Sequence, residues 1–153
     1  MVRSVVLTGL ALCALVVLPR AAHAQSSPAQ GWRPPSAEMP MMPAAAELQG
    51  DLRAGPLGSW LRGVDQVAGV DGASLKASGE GNARGRTRFV RITSGARPVA
   101  TFSDRNGDGR ADMVELYHGS VVVLQVVDAN FDGRADAVRY MDEKGNLVRE
   151  ERM

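Results

Sequence analysis

The sequence predicts a mainly β fold, an antiparallel meander built from three repeats of 24 residues. Gly85, Gly109 and Gly133 recur at this interval, and an arginine follows each of them. Each glycine lies in a polar loop, and a short apolar run rich in β-branched residues comes after the loop. A repeat of fixed period indicates supersecondary units that pack in series.

The repeats are expected to occupy residues 80–153, as a degenerate unit at 80–103 and two clearer units at 104–127 and 128–153. In the middle unit, MVELY and SVVVLQVV form candidate strands on either side of a two-residue HG turn. The third unit offers AVRYM and LVREERM, and the first offers RFVRI and PVATF. Together they predict about six short strands with acidic loops between consecutive hairpins.

The N-terminal half has a different composition. Residues 1–24 combine an early arginine, an apolar run and small residues before Ala24, which predicts a cleaved secretory signal peptide. Residues 25–56 are rich in Pro, Ala and Met without a sustained apolar period, which predicts a disordered tether. Apolar residues at helical spacing then predict a short amphipathic helix at 57–68, and a Gly/Ser-rich loop is expected at 69–79.

Export bounds the possible chemistry. The only cysteine, Cys13, lies inside the predicted signal peptide; lipoprotein processing there is the alternative, although the bulky Leu12 precedes it. No later apolar run is long enough to span a membrane, so we expect an exported product that is periplasmic or secreted. The formal net charge of +1 points to no particular partner, and export argues against nucleic acid.

The loop of the middle unit reads DRNGDGRAD, with carboxylate or amide side chains at positions 1, 3, 5 and 9 and glycine at position 6. Calcium takes six to eight hard oxygen ligands, and this spacing wraps alternate side chains around one centre. Position 7 would contribute a backbone carbonyl, and position 12 a bidentate glutamate. The predicted ligands are Asp104, Asn106, Asp108, the carbonyl of Arg110, Asp112 and Glu115.

The loop of the third unit reads DANFDGRAD and repeats the pattern, except that position 12 is Arg139. A site without bidentate closure is expected to be weaker or differently closed. The predicted ligands are Asp128, Asn130, Asp132, the carbonyl of Arg134 and Asp136.

These tandem EF-hand-like loops resemble those of bacterial exported proteins with Asp-x-Asn-x-Asp-Gly-x-x-Asp repeats, related in pattern to dockerin, thrombospondin type 3 and FG-GAP loops. Strands rather than the EF-hand's helices are predicted on both sides. The resemblance covers residues 104–153 and, degenerately, 80–103, and it implies structural calcium binding by the aspartates and asparagines. Metal-free turns are the alternative, because Asp, Asn and Gly are common turn formers; another hard cation is a third possibility.

The first unit reads EGNARGRTR and carries Arg84 and Arg88 where the other loops carry aspartate. One hypothesis is that both guanidinium groups replace the ion and pair with Glu80 or with carboxylates of the next loop; a solvated loop is the alternative. With Arg86, these arginines also form a candidate surface for an envelope protein or an anionic polymer.

Two classes of function are therefore expected: a small exported calcium-binding repeat protein, or a cell-envelope adhesion module that uses its arginines or sheet edges. An enzyme is not expected, because residues 25–153 hold no cysteine and a single histidine, His118. Met39, Met41 and Met42 are soft thioethers that could bind Cu(I), although Met among prolines is more simply composition.

Overall fold

The computed structural model describes residues 26–153, so the predicted signal peptide lies outside the described residues. Seven strands form one antiparallel sheet in sequence order, which confirms the predicted meander. Within 26–153, no helix has the length and apolarity needed to cross a membrane. The strands are β1 (Leu75–Glu80), β2 (Phe89–Ser94), β3 (Arg97–Ser103), β4 (Met113–His118), β5 (Val121–Val127), β6 (Ala137–Met141) and β7 (Leu147–Arg152).

Each repeat forms one hairpin, β2–β3, β4–β5 and β6–β7, and the repeats stay in register across the sheet. Cross-strand pairing joins Val90 to Phe102, Phe102 to Val114, Val114 to Val126 and Val126 to Val138. All five side chains are fully buried. Because alternate residues of a strand face the same side, this row makes one face of the sheet the hydrophobic core.

Strand β1 falls largely in the segment predicted as a loop at 69–79. Its sequence, LKASGE, holds no β-branched residue and leaves most of its side chains exposed. It pairs along its length with β2, from Leu75 opposite Ser94 to Glu80 opposite Phe89. The open edge of β2 therefore recruits a segment of low β propensity, since the backbone hydrogen bonds of an edge strand do not depend on side chains.

The only α-helix in 26–153, α1 (Val64–Ala68), is shorter than the predicted 57–68. Gly63 adopts a left-handed conformation (φ +72°) immediately before it, and Gly69 (φ +65°) ends it. The apolar residues whose spacing predicted the helix are nevertheless buried: Leu57, Trp60, Leu61, Val64 and Val67. Helix α1 packs against β3 and β4. The turns that precede it also cover the core face of the sheet.

Residues 26–56 differ from the predicted disordered tether, because they pack on the sheet. Trp32 packs against Trp60 in a tilted arrangement with 6.1 Å between ring centroids, and a 3-10 helix spans Ala45–Gln49. Met39 and Met42 are 1% and 0% exposed and belong to the hydrophobic core. We call residues 37–43 the strap. Backbone hydrogen bonds hold it across the acidic loops. Its buried Met-Pro pairs repeat every three residues, a period of neither an α-helix nor a strand.

A matched pair of leucines tests which face holds the core. Leu116 is fully buried in β4, whereas Leu147 in β7 is 59% exposed. Leu116→Ala should lower the free energy of unfolding by about 2–5 kcal/mol, because it leaves a cavity in a packed interior. Leu147→Ala should change it by about 0.5 kcal/mol or less. Urea unfolding of both variants measures this difference, and equal losses would contradict the assignment of the buried face.

Candidate functional site

Three loops lie at the same end of the sheet, because each joins an odd-numbered strand to the next even-numbered one. Loop 1 (residues 80–88) precedes β2, loop 2 (residues 104–112) precedes β4 and loop 3 (residues 128–136) precedes β6. Loops 2 and 3 contain all the predicted ligands except Glu115. The structure therefore brings the two acidic motifs together at one edge of the molecule.

A buried aspartate at position 1 organises each acidic loop. In loop 2, Asp104 accepts the backbone N–H of Gly107 on Oδ1 (2.6 Å) and that of Gly109 on Oδ2 (2.9 Å). In loop 3, Asp128 accepts the corresponding N–H groups of Phe131 (2.7 Å) and Gly133 (2.8 Å). Both aspartates are almost completely buried, so these bonds satisfy carboxylate and amide groups that water does not reach.

The aspartate at position 9 closes each loop from its other end. Asp112 Oδ2 accepts the backbone N–H groups of Arg105 (2.5 Å) and Asn106 (3.2 Å). Asp136 Oδ2 accepts those of Ala129 (2.7 Å) and Asn130 (3.3 Å). Each loop is thus closed by carboxylate-to-amide bonds that span six or seven residues in sequence.

Positions 3 and 5 form successive turns through their side chains. Asn106 Oδ1 accepts the N–H of Asp108 (2.9 Å), and Asp108 Oδ1 accepts the N–H of Arg110 (2.8 Å). In loop 3, Asn130 and Asp132 make the same bonds, each at 2.9 Å. Such side-chain turns are the ordinary behaviour of Asn and Asp. Their repetition atom by atom shows that the two loops share one conformation.

Electrostatic repulsion persists inside loop 2. Burial raises the pKa of Asp112 above its usual range, and the nearby carboxylates of Asp104 and Asp108 raise it further, against the lowering effect of the N–H groups of Arg105 and Asn106. The ionised form of this carboxyl group is therefore less favourable in the folded chain than in water.

The strap fixes the orientation of the position-7 carbonyls. Isolated antiparallel bridges place Arg110 opposite Met41 and Arg134 opposite Glu38. The residues on either side of each arginine make the backbone hydrogen bonds to the strap, so the arginine's own N–H and C=O do not bond to it. In an antiparallel pair of this kind, those groups point away from the partner. The carbonyls of Arg110 and Arg134 accordingly face their loops and accept no hydrogen bond from any of residues 26–153.

The carboxylates do not surround a common point as the structure stands. Within residues 26–153, no three side chains of His, Cys, Asp or Glu are grouped so that they could hold a metal ion. Backbone N–H groups occupy the oxygens instead. The oxygen-rich donor set suits a hard cation, but holding one would require these side chains to reorient.

Glu115 lies on β4, where its carboxylate bonds to sheet neighbours. Its Oε2 accepts the hydroxyls of Thr101 (3.0 Å) and Tyr117 (3.1 Å), and its Oε1 accepts the side-chain amide of Gln125 (2.8 Å). The structure thus differs from the prediction that Glu115 closes the loop as position 12. The equivalent residues Arg91 and Arg139 have the opposite charge, a pattern that suits cross-strand pairing: Arg139 pairs with Glu150 of β7 at 2.7 Å.

Loop 1 adopts a different conformation from loops 2 and 3. Ala83 and Arg86 exchange two backbone hydrogen bonds (2.9 and 3.0 Å) around Arg84 and Gly85, whose φ angles are +54° and +77°. Positive φ at both central residues defines a tight hairpin turn. Arginine at position 5 offers no acceptor for the N–H of position 7, so hairpin bonds replace the side-chain turns.

The arginines of loop 1 differ from the predicted ion replacement. Arg84 Nη1 donates to the carbonyl of Asp108 (3.4 Å), and Arg88 donates to the carbonyls of Asp104 and Arg105. Among residues 26–153, no ion pair joins Arg84 or Arg88 to Glu80 or to a loop carboxylate. Both arginines therefore pair with backbone oxygens of loop 2 instead of with carboxylates.

Arg86 and Arg110, the arginines that follow the repeat glycine, link each loop to the next repeat and to the strap. A Cβ added to Gly109 would lie 3.3 Å from Cδ of Arg86, and one added to Gly133 would lie 3.1 Å from Cδ of Arg110. The two guanidinium groups donate to the carbonyls of Met42 (2.7 Å) and Met39 (3.0 Å). Arg86 is therefore a structural residue, although the sequence placed it on a partner surface.

Comparison with protein-family models, with curated proteins and with solved structures finds no significant match for this chain. The fold and the loops alone define the class: a small antiparallel β-meander whose repeats are joined by duplicated Asp/Asn loops.

Asp112 and Asp142 should respond oppositely to loss of charge. In chelator at pH 7, Asp112→Asn should leave the chain as stable as the parent or more stable, because it removes the disfavoured charge and keeps an acceptor oxygen. A raised pKa in the folded chain means that native stability falls as pH rises through it, so the gain should disappear as pH drops to about 4. Urea unfolding at both pH values measures the difference.

Asp142→Asn is the matched control. Hydrogen bonds from the side chain and backbone of Asn146 lower the pKa of Asp142. This carboxylate therefore stabilises the folded chain above its unfolded pKa, and that contribution is lost as pH falls through the folded pKa. Asp142→Asn should destabilise the chain at pH 7, and the loss should shrink in acid. The same sign for both variants would contradict the electrostatics of loop 2.

Proposed function

We propose that this chain is a small exported calcium-binding repeat protein, in which Ca²⁺ bound by loops 2 and 3 stabilises the β-meander. One observation carries the proposal: the same set of oxygen donors occurs twice, in the same conformation, with an unpaired carbonyl facing each loop. Export rests on the signal-like sequence of residues 1–24.

The oxygens retain capacity for a cation. An ionised carboxylate offers about four acceptor sites. Asp104 uses one hydrogen bond on each oxygen, and Asp112 uses two on Oδ2, with none from residues 26–153 on Oδ1. Side-chain reorientation within the loop can therefore offer oxygens to Ca²⁺ without giving up every amide bond. The position-7 carbonyls add neutral ligands that need no reorientation.

Charge supports the same proposal. Loop 2 concentrates three carboxylates, and two of them raise the pKa of the third. A divalent cation would cancel this repulsion, which is how metal binding becomes folding free energy. Three carboxylates and one amide on glycine-containing loops suit the weak affinity of extracellular calcium modules, a dissociation constant of about 10⁻⁴ to 10⁻³ M.

The second candidate is a cell-envelope interaction module. The arginines offered for this role are engaged with backbone oxygens, so its support comes from the sheet edge. Leu147, Val148 and Met153 are exposed on or beside β7, which has no strand partner on its outer side among residues 26–153. An unpaired, partly apolar edge favours association with another chain. Chelator-resistant retention on envelope material, lost on Leu147→Lys, would favour this candidate.

Thermal unfolding tests calcium binding. In 10 mM calcium, two sites of the expected affinity should each add about 1.4–2.7 kcal/mol. The unfolding midpoint should therefore exceed that in chelator by roughly 10–20 °C. The double variant Asp108→Asn/Asp132→Asn keeps the side-chain acceptors but loses two charges, so it should lose most of this shift.

Asp51→Asn/Asp142→Asn is the control for this measurement, because it removes the same charge outside the acidic loops and should keep the calcium response. Circular dichroism of residues 25–153 provides the readout for all three proteins. Superimposable curves in calcium and chelator for the parent chain would mean that loops 2 and 3 are ordinary turns.

A further inference from the structure

The strap contacts the sheet once per repeat, and the contacts are spaced by three residues in the strap and by 24 in the sheet. The carbonyls of Pro43, Pro40 and Ala37 accept the backbone N–H groups of Thr87 (2.9 Å), Ala111 (2.9 Å) and Ala135 (2.8 Å). The strap therefore runs against the order of the repeats, with one carbonyl contact on each of them.

Two more kinds of bond follow the same period. The N–H groups of Met42 and Met39 donate to the carbonyls of Gly109 and Gly133, both at 2.9 Å. The carbonyls of these two methionines accept the guanidinium groups of Arg86 and Arg110. The second and third repeats thus bond to both donor and acceptor groups of the strap backbone, and the first repeat bonds to acceptor groups only.

The matching of the two periods has a physical origin. An extended polyproline-type chain advances about 3.1 Å per residue, hence roughly 9.3 Å for three residues. One hairpin occupies two strand spacings, or about 9.6 Å. A chain of this conformation therefore stays in step with the hairpins over all three repeats, whereas an α-helix, at about 1.5 Å per residue, would not.

The strap sequence fits this spacing residue by residue. At Pro40 and Pro43 the sheet bonds only to the carbonyl of the strap residue, so the N–H that proline lacks costs no hydrogen bond. Met39 and Met42 stand where an N–H must be donated, and their side chains are buried in the core. A shift of one residue toward the C-terminus would put proline at both donor positions and remove two bonds.

We propose that this end of the sheet is a peptide-recognition groove that reads two successive x-Met-Pro tripeptides, residues 38–40 and 41–43, each at the junction of two neighbouring repeats, and that the chain fills it with its own residues 37–43. The occupant is the chain's own residues 37–43, and a free extended peptide of this sequence is the probe for the same groove. Main-chain bonds supply affinity and the two methionine pockets supply selectivity. The groove includes Arg86 and Thr87 of loop 1, which carries no calcium motif. Its bonds to loops 2 and 3 use none of the predicted calcium-ligand oxygens, so peptide binding can be tested separately from calcium binding.

Peptide binding in trans tests the groove. The probe is a fluorescent peptide of residues 36–44, SAEMPMMPA, and the control peptide SAEPMMPMA has the same composition with Met and Pro exchanged at 39/40 and at 42/43. The acceptor is the full chain with Met39→Pro and Met42→Pro, which removes both strap donors and keeps every groove residue. Fluorescence anisotropy in chelator gives the dissociation constants, so the result does not depend on calcium.

The variant should bind the probe at least tenfold more tightly than the control peptide. The parent chain should bind it at least tenfold more weakly than the variant does, because a tethered strap competes at an effective concentration in the millimolar range. A folded variant that binds neither peptide, or both equally, would overturn the proposal.

Hydrogen exchange in the parent chain provides a second measurement that needs no variant. The amides of Met39 and Met42 are bonded to the loops, whereas that of Met41, between them, has no acceptor among residues 26–153. Exchange should therefore be at least tenfold slower at Met39 and Met42 than at Met41. Equally fast exchange at all three amides would overturn the proposal even if the variant fails to fold.

Discussion

The structure depends on hydrogen bonds from backbone N–H groups to two buried aspartates, Asp104 and Asp128. Each loop turns sharply between two buried strands, and the N–H groups that these aspartates accept have no backbone partner. An unpaired buried N–H costs about 1–3 kcal/mol, so a carboxylate that accepts two of them decides whether the turn can form. Since the aspartates recur with the loops, the step between hairpins is the same each time and the buried valines stay in one row.

The acidic loops are held from two sides. On the inner side, aspartate and asparagine oxygens accept backbone N–H groups; on the outer side, the strap bonds to the carbonyls of Gly109 and Gly133. Arg86 and Arg110 span both, since each packs on the next repeat's glycine and donates to the strap. The carbonyl that faces each loop accepts no hydrogen bond from any of residues 26–153. The same contacts that satisfy the backbone N–H groups also occupy the carboxylate oxygens, so a cation could be held only after those side chains reorient.

The meander could be predicted because its signals are local and repeated. Glycine spacing, β-branched runs and turn residues each identify a hairpin without tertiary information. Strand β1 could not be predicted, because LKASGE has no strand-like side-chain pattern. It pairs through its backbone with the outer edge of β2, and that edge is formed only when the sheet assembles. The strap was missed for a related reason: its period of three is neither helical nor strand-like, and Met-Pro repeats read as disorder until the sheet provides matching partners.

The loops were predictable in position but not in every contact. Spacing correctly identified which residues share a loop, because side-chain turns depend on nearest neighbours. Glu115 matches the calcium-loop template only by its position in the sequence, twelfth from Asp104. Strand pairing had already placed it between Thr101 and Gln125, where cross-strand charge and hydrogen bonding set its partners. Loop 1 shows the converse, because a change from aspartate to arginine at position 5 removes an acceptor and the backbone folds into another turn.

The most direct test of the calcium assignment is an amide NMR titration of residues 25–153 with calcium. The account predicts shifts that saturate at millimolar calcium for Gly107, Gly109 and Gly133 in the acidic loops, with Gly85 in loop 1 and Gly145 in the β6–β7 turn unchanged. Unchanged loop glycines at 10 mM calcium, or shifts spread equally over all five, would contradict it.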